Sequence, residues 1–178
     1  MSPKKARRSK PKPKARKKVQ RTKVSTKARV VAGVKVPPQM QLVNVYLNTK
    51  DPEKAVEFYQ KAFGFKLKVT MPGPDGKIMH AELVHGDCTV MLGPENFEMG
   101  AKAPSTVGGT PLSLYVYVKD VDALTRQARA AGGNVVREPA DQFYGDRVAL
   151  IVDPEGHIWG FATHQRIVPP EEMHPPAA

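Results

Sequence analysis

The chain has little cysteine, no long apolar run and, over its first fifth, no negative charge, and each shortage excludes something. One cysteine in 178 residues, Cys88, rules out an intrachain disulfide and points to a reducing compartment. Cys88 opens the apolar run Cys-Thr-Val-Met-Leu and is expected to be a small buried residue of a strand. No stretch of about 18 apolar residues occurs, which excludes a membrane-spanning helix. The N-terminus lacks the apolar segment of a secretory signal, so a cytoplasmic location is expected.

Residues 1–36 contain no Asp, no Glu and no aromatic residue, yet hold 15 of the chain's 28 Lys and Arg. The other 142 residues carry 13 basic against 17 acidic side chains, so the net charge of +11 belongs to this arm. Like charges repel, prolines oppose helix and little is available to bury, so 1–37 is expected to be a disordered basic tail ending at Pro37-Pro38. Its densest cations are Lys4, Lys5, Arg7, Arg8, Lys10, Lys12, Lys14, Arg16, Lys17 and Lys18. Such an arm neutralises nucleic-acid phosphates by counterion release without reading bases, which would place the protein on a nucleoid. The missing aromatics speak against stacking on single strands. An anionic lipid surface, a nuclear-import signal or a solubility tail would use the same composition.

What is present is a repeat. Gln41–Gly64 and Pro111–Gly133 superimpose at a shift of 69 positions: Tyr46 on Tyr115, Lys50 on Lys119, Asp51 on Asp120 and Gly64 on Gly133. Each copy reads as strand, turn, aspartate N-cap, helix and glycine stop. Pro52 and Glu53 suit the first turn of the first helix, and Ala55, Phe58, Tyr59 and Ala62 form its apolar stripe. Leu124, Ala128 and Ala131 do the same in the second. Val43, Val45 and Leu47, and likewise Leu114, Val116 and Val118, are expected beneath the helices. The opposite strand faces, Asn44, Tyr46 and Asn48, then Ser113, Tyr115 and Tyr117, are polar and aromatic, as suits a ligand surface.

Three more strands follow each helix: Lys66–Met71, Ile78–Val84 and Cys88–Gly93, then Asn134–Glu138, Arg147–Val152 and His157–Thr163. The expected fold is therefore α+β, with two tandem βαβββ modules at 38–93 and 111–167. A connector at 94–110 joins them, and a loose tail follows from residue 168.

The words KDPEKAVEFYQKAFGF, GKIMHAEL and QFYGDRVALIVDPEGHIWGFATH, in two βαβββ units, resemble the vicinal oxygen chelate superfamily. That group includes glyoxalase I, extradiol dioxygenases and bleomycin-resistance proteins. The last segment is most similar to the glyoxalase-like branch associated with phosphonate operons, and the word Ser-Pro-Lys-Lys at 2–5 resembles linker-histone tails. The resemblance implies a cup of mixed sheet around a small-molecule site, and a homodimer. It also implies metal ligands on the first strand, at Asn44 and Ser113, and on the fourth, at Met91 and Gly160. None of these is His or Glu, so no metal or other cofactor is expected.

The remaining ligand-binding candidates are Tyr46, Tyr115, Tyr117, and Phe143, Tyr144 and Arg147 in one loop, where rings could stack on a flat ligand and a guanidinium could meet an anion. His80 and Glu82 share a strand face and are the candidate acid and base; lining a solvated face or dimer interface is the plain alternative. His157 is expected to brace its turn, Trp159 and Phe161 to be core, and His85, His164 and His174 to be peripheral. The leading expectation is a metal-free small-molecule-binding protein. A lyase or dioxygenase with a site at His80 and Glu82, and a nucleoid protein that dimerises through its folded body, are the rivals.

Overall fold

Asp51 and Asp120 begin the two principal helices by the same chemistry. In the computed structural model, which describes residues 29–37 and 40–175, Asp51 Oδ1 accepts from the Lys54 amide at 3.0 Å and Asp120 Oδ1 from the Ala123 amide at 2.8 Å. Helix α1 spans Pro52–Phe63, stopped by Gly64 in the left-handed conformation. The short α2 spans Pro104–Val107, inside the expected connector, and α3 spans Val121–Ala130.

Each principal helix sits in a βαβββ unit. In the first, β3 (Val45–Thr49) precedes α1, and β4 (Lys66–Pro72), β5 (Ile78–His85) and β6 (Cys88–Pro94) follow. In the second, β7 (Ser113–Tyr117) precedes α3, and β8 (Asn134–Asp141), β9 (Asp146–Val152) and β10 (Ile158–His164) follow. The four-stranded sheets have matching orders, β3-β6-β5-β4 and β7-β10-β9-β8. The first and last strands of each unit pair in parallel, placing Tyr46 beside Met91 and Tyr115 beside Gly160. The 69-residue shift therefore holds in three dimensions. The sheets are separate: among the described residues no strand of one pairs with a strand of the other.

The helix-facing sides of both sheets drain into one core. Tyr59 and Phe63 of α1 meet Trp159 of the second unit at ring-centroid distances of 5.3 and 5.1 Å, and Phe63 meets Phe161 at 4.7 Å. Burying rings of this size stabilises by about 1.5–3 kcal/mol each. Beneath them lies Asp153, whose carboxylate accepts from Tyr59 Oη at 2.7 Å, Trp159 Nε1 at 2.9 Å and the Glu155 and His157 amides at 2.9 Å. His157 Nδ1 stands 3.1 Å away. Burial alone would raise the Asp153 pKa, but His157, Tyr59 and Trp159 outweigh it and hold the carboxyl below its usual range. Glu155, in the same turn, accepts from the Lys50 amide at 2.8 Å and so grips the start of α1 from the other unit.

Several expectations need correction. Residues 29–36 lie inside the stretch expected to be disordered, yet β1 (Arg29–Val31) and β2 (Val34–Val36) form an antiparallel hairpin. Ala32 and Gly33 take positive φ of 48° and 81°, the two-residue turn geometry that suits strand twist. Residues 1–28 lie outside the described residues, with the ten cations named above among them. Val43 precedes β3 and is 85% exposed, so it is not under α1. Strand β8 runs on to Asp141 through Pro139, tolerated because the register shifts between Arg137 and Ala140. Beyond residue 168 the chain is not merely loose: Val168 is buried and Pro170–Glu172 forms a 3₁₀ turn. Cys88 is exposed, because it sits at the hairpin end of β6.

Candidate functional site

With both helix-facing sides in one core, the opposite faces of the sheets look outward. Their tyrosines are about half exposed: Tyr46 at 48%, Tyr115 at 48% and Tyr117 at 58%. Strand alternation puts them there, and glycine on the neighbouring strand gives their rings room. A Cβ at Gly93 would stand 2.5 Å from Tyr46 Oη and 2.8 Å from the Met79 carbonyl; one at Gly160 would stand 3.1 Å from the Tyr115 ring.

On the first face the polar groups form a loose row. Tyr46 Oη lies 3.4 Å from His80 Nδ1, His80 Nε2 lies 3.7 Å from Glu82 Oε1, and Lys68 Nζ lies 3.7 Å from Glu82 Oε2. The expected pair His80 and Glu82 is thus brought together, and Lys68 joins it because the bulge in β4 sets two residues against Glu82. Lys68 Nζ and Glu82 Oε2 are both buried without a hydrogen bond. Burial pulls the Lys68 pKa down and pushes that of Tyr46 up.

On the second face the groups converge. Asp146, only 4% exposed, accepts from Tyr115 Oη at 3.0 Å and Tyr117 Oη at 2.9 Å on one oxygen, and His164 Nδ1 lies 2.7 Å from the other. Burial works to raise the Asp146 pKa; the bonds from His164, Tyr117 and Tyr115 prevail and lower it. The Tyr115 phenol is pushed up by burial and then by bonds to Tyr144 and Asp146, and that of Tyr117 chiefly by its bond to Asp146.

The loop candidates divide. Phe143 and Tyr144 are in edge contact at 5.1 Å, and Phe143 is partly exposed. Arg147 points the other way. Its guanidinium makes two bonds to Asp122 of α3, at 2.7 and 2.9 Å, and one to Asp141 at 3.0 Å, which raise its pKa further. It is an internal brace between β9 and α3, not an anion receptor at a cup mouth.

The positions where the resemblance puts metal ligands do not form a donor set. Both ends of the Asn44 amide are bonded to the Gln41 backbone, at 2.7 and 3.1 Å. Met91 offers a thioether, Ser113 one hydroxyl and Gly160 nothing. A hard divalent ion does not fit these residues.

Sequence reading missed Asp146, His164 and Lys68. The first two were within reach: counting outward from the Asp153–His157 turn pairs Asp146 with His164 across the β9–β10 hairpin. It also missed a cleft of 550 Å³ between the units, lined by Val43, Phe65, Cys88, Val90, Leu114 and Tyr115.

Two outward polar faces on a paired βαβββ frame define a class, and similarity to known proteins agrees with it. The sequence model of the Glyoxalase/Bleomycin resistance protein/Dioxygenase superfamily matches residues 41–161. An uncharacterized protein of Mycobacterium tuberculosis is 40% identical over 131 residues, covering 72% of this chain and 77% of that protein. A lactoylglutathione lyase of Neisseria meningitidis is 29% identical over 119 residues, covering 66% and 86%. Among solved structures, TioX from Micromonospora sp. ML1 is 32% identical with a TM-score of 0.56, covering 70% of this chain and 98% of that one. The chain belongs to the Glyoxalase/Bleomycin resistance protein/Dioxygenase superfamily.

Proposed function

We propose that this protein is a small-molecule-binding member of its superfamily that works without the usual metal. Its ligand would lie between the outward face of one unit and the complementary face from a second copy of the chain. The observation that carries this reading is the pair of outward faces with half-exposed Tyr46, Tyr115 and Tyr117. Tyrosine presents a large stacking area at low entropic cost, which suits a flat ligand, and each face is open until something covers it. A homodimer supplies the cover.

Light scattering at micromolar concentration is the first test, with a dimer mass expected and a monomer mass contradicting the reading. Elemental analysis of gently purified protein is the second. Less than about a tenth of a metal per chain is expected; one Zn²⁺, Ni²⁺, Mn²⁺ or Fe²⁺ per chain, lost in His80→Ala, would favour the enzyme reading at His80 and Glu82.

The basic arm supports a second activity, binding of duplex nucleic acid without sequence preference. Residues 1–28 hold 13 Lys and Arg and no acidic residue. If about eight cations meet phosphates, log K falls with log salt at a slope near −7, so binding is firm at 50 mM salt and largely gone by about 0.3 M. A mobility shift on unrelated duplexes measures this. A shift that persists after deletion of residues 1–28 would move the site to the folded body.

A further inference from the structure

We propose that Asp146 and His164 form a metal-independent general-base dyad that hydrolyses small anionic carboxylic esters. Asp146 is buried and its carboxylate is filled by three neighbours, whereas the His164 side chain is 51% exposed. Nδ1 faces Asp146 at 2.7 Å, which fixes the tautomer with the proton on Nδ1. Nε2 is left as a free acceptor, with no hydrogen-bond partner among the described residues.

The imidazole borders an open surface groove shared with His85, Tyr117, Lys119, Asp120, Leu124 and Thr163, wide enough for a small ligand to reach Nε2. Its neighbours narrow the chemistry. The Thr163 hydroxyl is committed, donating to the Val118 carbonyl at 3.1 Å and accepting from the Val121 amide at 2.9 Å. The Tyr117 hydroxyl donates to Asp146. With no free hydroxyl beside Nε2 and the ring half open to solvent, water is the nucleophile at hand. Lys119 is the cation in the groove; its neighbour Asp120 also lines it, but Oδ1 of that carboxylate is engaged by the Ala123 amide at 2.8 Å, so Lys119 is left to select a negatively charged substrate.

Nε2 takes one proton from water while the water oxygen bonds to the acyl carbon, and the carbonyl electron pair moves onto its oxygen. Collapse of the tetrahedral intermediate re-forms the carbonyl and expels the alkoxide, which takes the proton from Nε2. Ester and water give acid and alcohol, with no oxidant or metal. Asp146 is a positioning residue, and it stabilises the imidazolium formed between the two transfers.

Two features hold the dyad. The pair is cross-strand, at the ends of β9 and β10. The segment after β10 folds back onto Gly145: the Gln165 and Arg166 amides donate to its carbonyl at 3.0 and 3.2 Å. A Cβ at Gly145, which has φ of 95°, would lie 2.0 Å from the Arg166 carbonyl.

The test uses full-length protein with 4-nitrophenyl acetate and 4-nitrophenyl hemisuccinate. The expected result is hydrolysis above that of equimolar free imidazole, favouring the hemisuccinate and rising with pH as general-base catalysis requires. Titratable or charged groups around it are Asp146, Tyr115, Tyr117, His85, Lys119 and Asp120. His164→Asn keeps an amide donor for Asp146 but has no Nε2, and is expected to lower kcat/KM by about 100-fold or more at an unchanged urea midpoint. Asp146→Asn is expected to move the pH limb downward, which a merely structural role would not do. Lys119→Ala is expected to remove the preference for the hemisuccinate. A rate no higher than that of imidazole, or a His164→Asn variant within twofold of the parent, overturns the proposal. A hemisuccinate preference that survives Lys119→Ala overturns the assignment of an anionic substrate.

Discussion

The two units share a frame, and one outward tyrosine each in Tyr46 and Tyr115, but differ in most of what is placed upon it. Both start their helix at a capping aspartate and order their strands identically. On the outward face of the first, Tyr46, His80, Glu82 and Lys68 are spaced 3.4 to 3.7 Å apart, just beyond good hydrogen bonds. On the second, three donors converge on Asp146 within 3.0 Å. The hairpin ends also differ: Gly86-Asp87 is a bare turn, whereas Asp153–His157 is a buried hub. A duplicated frame is preserved where helix caps and core demand it. Strand faces and turns, which the frame does not constrain, are free to specialise.

The largest expected break of this symmetry is at the hub. Asp153→Ala strands Tyr59 Oη and Trp159 Nε1 without their acceptor and is expected to cost about 3–5 kcal/mol, read from urea unfolding. Asp87→Ala, in the matching turn of the first unit, should cost less than about 0.5 kcal/mol, since only its backbone carbonyl is used, by Gln41. A comparable loss at both turns would remove the asymmetry. The pH dependence follows in sign. A carboxyl held low in the folded state contributes stability above its unfolded pKa, about 3.9, and loses it as pH falls through the folded value. The parent midpoint should therefore drop below about pH 4, and Asp153→Asn should start lower and fall less steeply.

A smaller effect is expected at the glycine that makes room for a tyrosine on each outward face, Gly93 in the first unit and Gly160, two positions earlier in the repeat, in the second. Gly93→Ala would press its methyl against Tyr46 Oη and the Met79 carbonyl, and an unyielding backbone atom makes a loss of about 1–3 kcal/mol the expected result. At Gly160 nothing stands closer than the Tyr115 ring at 3.1 Å and Leu150 Cδ2 at 3.4 Å, a milder conflict, so the loss should stay under about 1 kcal/mol. Equal losses would mean that the outward faces are equally packed. The smallest effect tests the shared part: Asp51→Ala and Asp120→Ala should each cost about 1 kcal/mol and agree within about half of that.

The repeated part of the fold was legible because it rests on local chemistry. Asp51, Pro52, Gly64 and the stripe through Phe58, Tyr59 and Ala62 each carry a signal within one turn of helix. The placement of Trp159 and Phe161 in the core followed from strand alternation. What escaped depended on distance in sequence or on a break in register. The Arg147 brace needs Asp122, 25 positions away, and the Lys68 contact needs a bulge that flips the strand's alternation. The short hairpin at 29–36 was hidden by the charge of its surroundings, although Val-Val-Ala-Gly-Val-Lys-Val carries a turn between alternating residues. Of the site, the exposed tyrosines and the His80–Glu82 pair were visible, and His164 was not, because its partner becomes apparent only once the hairpin register is drawn.

The contact of Tyr59 and Phe63 with Trp159 and Phe161 has a consequence for how the chain is made. Helix α1 is complete by residue 63, but the rings that cover its aromatic side emerge from the ribosome almost 100 residues later. At synthesis rates of about 5–20 residues per second, that side waits on the order of 5–20 s without its final cover. A nascent first unit is therefore a sticky intermediate, and a ribosome stalled before residue 159 presents its aromatic helix to chaperones and to other half-made chains.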